Sequence, residues 1–364
     1  MKDGKVDNRH NAAAGSSPVT EKKQWLFTLL FIFIAAISVL AIVSQSRDFS
    51  LGNFVDYIQH ASLPWLVAAL LSMIGFIVFE AIALLLLCKA YNHKRSFWQG
   101  CSYSVSDIYF SAITPSATGG QPASAYFMMK DGMNGMMATA LLVVNIMMYT
   151  LAIVAIGFIC FIFRFDYFMQ YSTVSKILIA FGFLLQILLF IFFYMLLKKE
   201  KLLYKICNVC LVFLCKIKLL RNKEAKQKKL GDYMARYSEY SKIITGHRKA
   251  LFGCFIFNFL QRVAQIFVTV FVYMATAGQG LLESAELAFL QGYVVIGANC
   301  IPIPGSIGVS DFLMLDGFSN MMDRSQAVNL ELLSRSFSFY ACVILCGIAM
   351  LVSYCVIKRK ERRK

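Results

Sequence analysis

Residues 114–122 read TPSATGGQP, and they interrupt a sequence that is otherwise apolar enough to lie in a membrane. A second interruption, IPIPGSIG, occupies residues 301–308. Proline removes a backbone hydrogen-bond donor and glycine loosens a helix, so each stretch predicts a break between two helices. Irregular backbone at membrane depth is tolerated only where protein buries it or where it lines a wet cavity. The two breaks therefore favour a polar cleft inside a helical bundle, with ordinary surface loops as the alternative.

The composition around these breaks excludes a soluble globular enzyme. The chain has 364 residues, of which 59% are hydrophobic and 15% are charged, whereas soluble domains carry about 25% charged residues. Six apolar runs are long enough to cross a bilayer as helices. These predicted spans are 25–43, 63–88, 136–163, 177–197, 250–276 and 337–357.

The distribution of basic residues predicts the orientation of these spans. Segments 1–24, 89–95, 198–249 and 358–364 together hold 29 of the 36 Lys and Arg residues, but only eight of the 20 acidic ones. Basic segments remain in the cytoplasm in most membrane proteins. Both termini are then cytoplasmic, and segments 96–131 and 288–322 must return to the side from which they start. Two additional short crossings in either segment would satisfy the charge rule equally well.

The predicted fold class is therefore an all-α polytopic membrane protein with about six full transmembrane helices and two re-entrant or broken helical hairpins. Breaks that enter from opposite sides suggest an inverted repeat with a binding site between them. Residues 1–24 are predicted to be a disordered cytoplasmic N-terminus, 25–357 a single membrane domain and 358–364 a basic cytoplasmic tail. Within the membrane domain, 198–249 reads as basic interfacial helices on the cytoplasmic leaflet, with a solvated helical hairpin as the alternative.

Each break also predicts a helix start, whose unsatisfied N–H groups and partial positive charge suit phosphate. After the paired glycines of the first break, Gln121 is predicted as a cap and Pro122 as the first helical residue. After the second break, Ser310 is predicted as the N-cap.

Ionisable residues inside the spans add a candidate site. Arg262 lies near the centre of the fifth span, where an uncompensated arginine costs at least about 2.5–3.5 kcal/mol. Asn258, Gln265 and Thr269 share its helical face by their spacing. The functional interpretation places Arg262 on a phosphate, and Glu80 or Asp311 on a cation or a proton. A structural ion pair such as Glu80 with Arg262 is the alternative.

Other patterns carry less information. Asn145 and Tyr149 in the third span could share the polar face, and Asp107 precedes the first break. The eleven scattered cysteines read as small buried hydrophobic residues, so we predict no metal site and no cofactor. The sequence contains no recognisable catalytic motif, and we predict no catalytic residue.

The two breaks also carry a resemblance to a known family. The pattern P-x-x-x-G-G-x-P is present as Pro115, Gly119, Gly120 and Pro122. A pattern of the type P-x-P-G-G-x-G-x-x-E is matched by Pro302, Pro304, Gly305, Gly308 and Asp311, with Ser306 in place of the second glycine and aspartate in place of glutamate. Together they resemble the transmembrane domain of the lysylphosphatidylglycerol synthase/flippase proteins, over about 25–357.

The resemblance implies a bacterial inner-membrane protein that moves an aminoacylated or anionic phospholipid, such as lysyl-phosphatidylglycerol, between leaflets. Such transport lowers the negative surface charge and protects against cationic antimicrobial peptides. The alternatives are a lysyl-tRNA-dependent phosphatidylglycerol lysyltransferase, or the membrane half of a split one, and a non-transporting envelope scaffold.

The expected partners are membrane phospholipid, anionic headgroups at 198–249 and a separate soluble aminoacyltransferase. We expect no nucleic acid, except tRNA under the lysyltransferase alternative. The predicted headgroup-binding residues are Arg262, Asn258, Gln265, Glu80, Asp311, Thr118, Gly119, Gly120, Gln121, Gly305, Ser306 and Gly308. The predicted structural loop residues are Pro115, Pro122, Pro302 and Pro304.

Overall fold

A computed structural model describes most of the chain and consists of helices in the part it describes. The described residues are 51–114, 117–199, 204–206, 208–209, 211–212, 223–277, 280–299, 301, 303–306 and 308–362. The predicted first span at 25–43, the N-terminal segment 1–24, Pro115 and Pro302 lie outside them.

The helices follow one another with short connections. In chain order they are α1 (Leu51–Gln59), α2 (Leu63–Ala90), α3 (Phe97–Ile113), α4 (Gly120–Lys130), α5 (Gly135–Phe163), α6 (Phe165–Gln170), α7 (Thr173–Lys198), α8 (Lys223–Gly246), α9 (Arg248–Ala277), α10 (Leu281–Ala298), α11 (Val309–Phe318), α12 (Arg324–Arg335) and α13 (Cys342–Arg362). A 3₁₀ turn at Pro304–Ser306 precedes α11, and a π-helical turn at Ser336–Ala341 joins α12 to α13.

Five helical stretches are long and apolar enough to cross a membrane, which confirms an all-α polytopic architecture. They are Leu63–Ala90, Gly135–Phe163, Thr173–Lys198, Arg248–Thr276 and Arg324–Ile357. Each contains one of the predicted spans between residues 63 and 357. The last is longer than predicted, because α12 continues through the π-helical turn into α13.

Local sequence explains where the membrane helices begin. The side chain of Asn134 accepts the N–H of Met136 at the start of α5, and Ser172 caps α7 through the N–H of Ser175. Pro64 lies in the first turn of α2, where its missing N–H costs no hydrogen bond. A capping box formed by Ser96 and Gln99 begins α3.

Both predicted breaks separate two helices that pack against each other. Helix α3 pairs with α4 across the first break, and α10 pairs with α11 across the second. The first hairpin also packs on α2 and α13, while the second packs on α7 and α9. Helices α2 and α9 form the most extensive helix pair in the described part of the chain. The two hairpins are therefore built into the bundle.

Helix α8, in the basic segment, packs its apolar face against the membrane helices. Tyr237 and Ile244 are buried in a core cluster with residues of α2 and α5. The Ser241 hydroxyl donates a hydrogen bond to the carbonyl oxygen of Leu197 at the end of α7. Protein contacts thus cover part of the face that the sequence assigned to the membrane interface.

The close approach of α7 to α10 depends on a glycine. A Cβ atom at Gly182 would lie 2.5 Å from the carbonyl oxygen of Ile296 and 3.1 Å from Cα of Gly297. By contrast, a Cβ atom at Gly231, within the exposed surface of α8, would meet no atom within 4 Å.

We predict that Gly182→Ala lowers the free energy of unfolding by about 1–3 kcal/mol, because the methyl group forces two packed backbones apart. The same substitution at Gly231 should leave it unchanged or raise it by up to about 1 kcal/mol, since alanine favours a helix. Denaturant unfolding of the detergent-purified variants measures both. Equal effects at the two positions would contradict the assigned packing.

Candidate functional site

A cavity of about 630 Å³ lies inside the bundle, and residues of both breaks line it. Ala117 and Thr118 contribute from the first break, and Ile303, Gly305 and Ser306 from the second. Thr118 and Ile303 are also exposed on the protein surface. The cavity therefore reaches the outer surface near each break, and its volume lies within the range of small-molecule sites.

The cavity wall is polar for a membrane protein. Every membrane helix in the described part contributes at least one polar lining residue. Those residues are Glu80, Asp107, Ser111, Thr118, Gln121, Asn145, Tyr149, Thr150, Gln186, Gln261, Arg262, Gln265, Gln291, Asn299, Ser306, Ser310, Arg335 and Ser338.

Arg262 lies in the middle of α9 and faces this cavity. One of its terminal nitrogens, Nη1, donates to Oε1 of Gln265 at 2.6 Å. Its guanidinium carbon lies 4.3 Å from the ring centroid of Tyr149 and 5.2 Å from that of Phe76. These rings attract the cation through their π faces. Among the described residues, no ion pair within 4 Å joins Arg262 to Glu80, so this example of the structural alternative is not formed.

Glu80 of α2 and Asp107 of α3 instead form a carboxyl pair in the cavity wall. Both side chains are buried, and both line the cavity. Gln261 donates to Oε2 of Glu80 at 2.9 Å, and Ser104 donates to the same atom at 3.3 Å. Gln121 donates to Oδ2 of Asp107 at 2.7 Å. Polar donors from three helices thus hold the pair in place.

The first break differs in detail from the sequence prediction. Gly119 is the N-cap and Gly120 begins α4, so Gln121 is the second helical residue and Pro122 the third. A Cβ atom at Gly120 would overlap the side chains of Ser111 and Asp107. The glycine therefore brings the helix start against α3, and this places the Gln121 amide on Asp107. Pro122 is exposed, and its missing N–H falls in the first turn, where helices leave donors unpaired.

The second break also begins its helix earlier than predicted. Gly308 is the N-cap of α11, with φ +86°, and Oδ2 of Asp311 accepts its N–H at 2.8 Å. Ser310 is the second helical residue, and its hydroxyl donates to the carbonyl oxygen of Ser306 at 2.9 Å. The side chain of Asp311 therefore performs the capping that we assigned to Ser310.

Asp311 forms a buried ion pair that the sequence analysis missed. Nη2 of Arg335 lies 2.5 Å from Oδ1 of Asp311, and Nε of Arg335 lies 3.7 Å from Oε1 of Glu331. Glu331 is fully buried, and Arg335 lines the cavity beside the π-helical turn. Nη1 of Arg335 also donates to the carbonyl oxygen of Gly305. One feature of the sequence indicates this buried charge cluster: Glu331 and Arg335 are spaced i,i+4 just before an apolar run.

The structure brings together about half of the predicted headgroup-binding residues. The cavity is lined by Arg262, Gln265, Glu80, Thr118, Gln121, Gly305 and Ser306. Asn258 lies behind the wall, where Nδ2 donates to Oδ1 of Asn145 at 3.1 Å. Thr269 is buried outside the lining, and Gly119, Gly120 and Gly308 shape the helix starts. Pro304 begins the 3₁₀ turn.

Several buried polar atoms in the wall have no hydrogen-bond partner within the described part of the protein. They include Nε of Arg262 and Oε1 of Gln261, Gln291 and Gln121. An unpaired buried polar group costs about 1–3 kcal/mol. These four atoms are free to bond to a polar group that enters the cavity. No group of three or more His, Cys, Asp or Glu residues suited to a metal ion occurs among the described residues.

Comparison with known proteins identifies one family. The sequence model described as "Lysylphosphatidylglycerol synthase TM region" matches residues 27–346. No curated protein and no solved structure matches the chain.

We predict that Arg335→Gln lowers the free energy of unfolding by about 3–5 kcal/mol, because it leaves buried carboxylates without their cation. Adding Asp311→Asn to this variant should recover part of the loss, since the second change removes one uncompensated charge. Arg324→Gln, at an exposed position at the start of the same helix, is the matched control. Unfolding in detergent measures these three variants and Asp311→Asn alone, and a double variant as unstable as the sum of its two single changes would contradict the ion pair.

Proposed function

The chain belongs to the lysylphosphatidylglycerol synthase transmembrane-region family, and we propose that it is a lipid translocase of the bacterial inner membrane. It moves an aminoacylated or anionic phospholipid, such as lysyl-phosphatidylglycerol, from one leaflet to the other. The family match and the five apolar helices identify a multi-pass membrane protein. The lipid, the direction and the membrane are parts of the proposal.

The observation that carries this proposal is the position of Arg262 in a polar cavity that both breaks line. An arginine inside a membrane domain is costly and marks a functional site by default. Here the guanidinium lies between aromatic rings and keeps Nε without a partner among the described residues. Phosphate is the common anionic group of phospholipids, and a guanidinium binds phosphate through paired charge-assisted hydrogen bonds.

The rest of the cavity wall complements the remainder of such a headgroup. The Glu80–Asp107 pair offers acceptors to an ammonium group. The glutamine amides at 121, 261, 265 and 291 offer both donors and acceptors to glycerol hydroxyls and ester oxygens. A lysyl-phosphatidylglycerol headgroup contains all of these chemical groups.

A cavity of this kind lowers the barrier to lipid movement. The main barrier is the transfer of a charged headgroup out of water and into hydrocarbon. Fixed dipoles and charges in the wall replace the water that the headgroup leaves behind. The volume of about 630 Å³ suits a headgroup, while the acyl chains remain in the bilayer beside the protein.

The same proposal includes partners at the membrane surface. We propose that both termini are cytoplasmic and that the basic segment 198–249 attracts anionic headgroups on that side. A separate soluble aminoacyltransferase would supply the lysyl lipid. Its export would reduce the negative surface charge and thus the binding of cationic antimicrobial peptides.

We predict that Arg262→Ala lowers the rate of lipid translocation at least about tenfold, because each lost charge-assisted hydrogen bond removes about 1.5–3 kcal/mol. Arg324→Ala, at an exposed position at the start of α12 and outside the basic segment, should retain the rate of the unmodified protein. The assay uses proteoliposomes with fluorescent lysyl-phosphatidylglycerol and a membrane-impermeant quencher that reports the outer leaflet.

Three outcomes would contradict the proposal. Unchanged transport in a folded Arg262→Ala protein would remove the arginine from the mechanism. Formation of lysyl lipid from lysyl-tRNA and phosphatidylglycerol by the purified protein would favour the lysyltransferase alternative. Transport equal to that of protein-free vesicles, despite normal folding, would favour the scaffold.

A further inference from the structure

The Glu80–Asp107 pair has a property that the proposed function does not use. Glu80 and Asp107 are both buried in the wall of one cavity, and Ser104, one turn from Asp107 on α3, donates a hydrogen bond to Glu80. A carboxylate can only accept hydrogen bonds, so two neighbouring carboxyl groups cannot bond to each other while both are ionised. Two like charges so close also repel each other strongly. The pair is therefore built to hold one proton between its two groups.

The pair lies in a wall that also has polar atoms directed at a ligand. Gln261, which donates to Glu80, retains an unpartnered Oε1, and Arg262 retains an unpartnered Nε. Both side chains are more than nine-tenths buried, with exposed fractions of 2% and 6%, and both line the cavity. The carboxyl pair thus faces a ligand site.

Few other charges face the pair among the described residues. Arg262 approaches from α9, and the thiols of Cys342 and Cys346 approach from α13. The phenol of Tyr149 lies beyond Arg262. Arg335 lines the same cavity but is paired with Asp311 and Glu331. The charge near the pair is therefore set by Arg262 and by the number of protons on the two carboxyl groups.

We propose that the proton count of the Glu80–Asp107 pair selects the charge of the headgroup that the cavity accepts. This inference rests on the proposed function and names its substrate class and its coupling ion. With one proton, the pair carries one negative charge, which balances Arg262, and the cavity suits a zwitterionic headgroup. Loss of that proton leaves one excess negative charge.

Each change of proton count then favours a different lipid. The fully ionised pair accepts a headgroup of net charge +1, which has one phosphate and two ammonium groups, as in lysyl-phosphatidylglycerol. The doubly protonated pair leaves Arg262 uncompensated, and the cavity accepts a headgroup of net charge −1, as in phosphatidylglycerol. Binding of the cationic lipid therefore releases a proton, and this exchange would couple its transport to a pH gradient.

The experiment compares the affinities for two lipids as the pH changes. Trace-labelled lysyl-phosphatidylglycerol and phosphatidylglycerol bind from mixed detergent micelles to the immobilised full-length protein, between about pH 5 and about pH 8. We expect the affinity ratio to move toward the lysyl lipid as pH rises, by roughly tenfold per pH unit for each proton exchanged.

Glu80→Gln and Asp107→Asn should flatten this dependence, because neither variant retains an exchangeable proton between two carboxyl groups. Both replacements conserve shape, and either one alone tests the proposal. Titration of the lipid amines is common to all proteins and cancels in the comparison. Asp166→Asn, at an exposed position, should keep the full pH dependence.

The outcomes separate this inference from the proposed function. An equal pH dependence in the unmodified protein and in both pair variants overturns it. The inference is also overturned if Glu331→Gln abolishes the pH dependence of the affinity ratio while Glu80→Gln and Asp107→Asn retain it. A proton-linked affinity ratio in a protein that moves no lipid supports the inference and overturns the translocase. Translocation with a pH-independent ratio overturns the inference alone.

Discussion

Charged side chains inside a membrane domain must be compensated within the protein, and this requirement organises the whole interior of the bundle. Arg262, Arg335, Glu80, Asp107 and Glu331 are all buried in helices of an apolar bundle. Bulk water does not solvate a charge that is buried in the bundle, so each charge needs a fixed partner or a polar cavity. The two breaks supply what straight helices cannot, because they bring the helix start at Gly120 against Asp107 and the backbone carbonyl of Gly305 to Arg335.

The two breaks meet this requirement in related ways. An aspartate in a helix beside each break contacts the following helix start: Asp107 accepts a hydrogen bond from the side-chain amide of Gln121 at the first, and Asp311 accepts the N–H of Gly308 at the second. Each aspartate also has a buried glutamate nearby: Glu80 accepts a hydrogen bond from Ser104, one turn from Asp107, and Glu331 shares Arg335 with Asp311. The suggested inverted repeat would account for this recurrence.

The sequence predicted the architecture well because membrane helices depend on little besides local composition. The spans at 63–88 and 136–163 are fixed by length and hydrophobicity, and the breaks by proline and glycine chemistry. The site was harder, because its contacts join residues far apart in the chain. The proximity of Glu80 to Asp107 and of Asp311 to Arg335 depends on packing between helices, which periodicity does not encode. Arg335 escaped notice because it precedes the apolar run that defined the last span.

The two buried arginines differ in a way that assigns them different roles. Arg335 is held by Asp311, by Glu331 and by the carbonyl oxygen of Gly305, so its charge is used to fix the second break against the π-helical turn. Among the described residues, Arg262 has a hydrogen bond to the Gln265 amide and two aromatic rings against its guanidinium, and no carboxyl group lies within 4 Å of it. A cation that is shielded by aromatic rings but has no direct ion pair is stable enough to persist in the bundle and still attracts an anion. That combination is what a transient phosphate site requires, since a fully paired arginine would bind too weakly and an exposed one would stay hydrated.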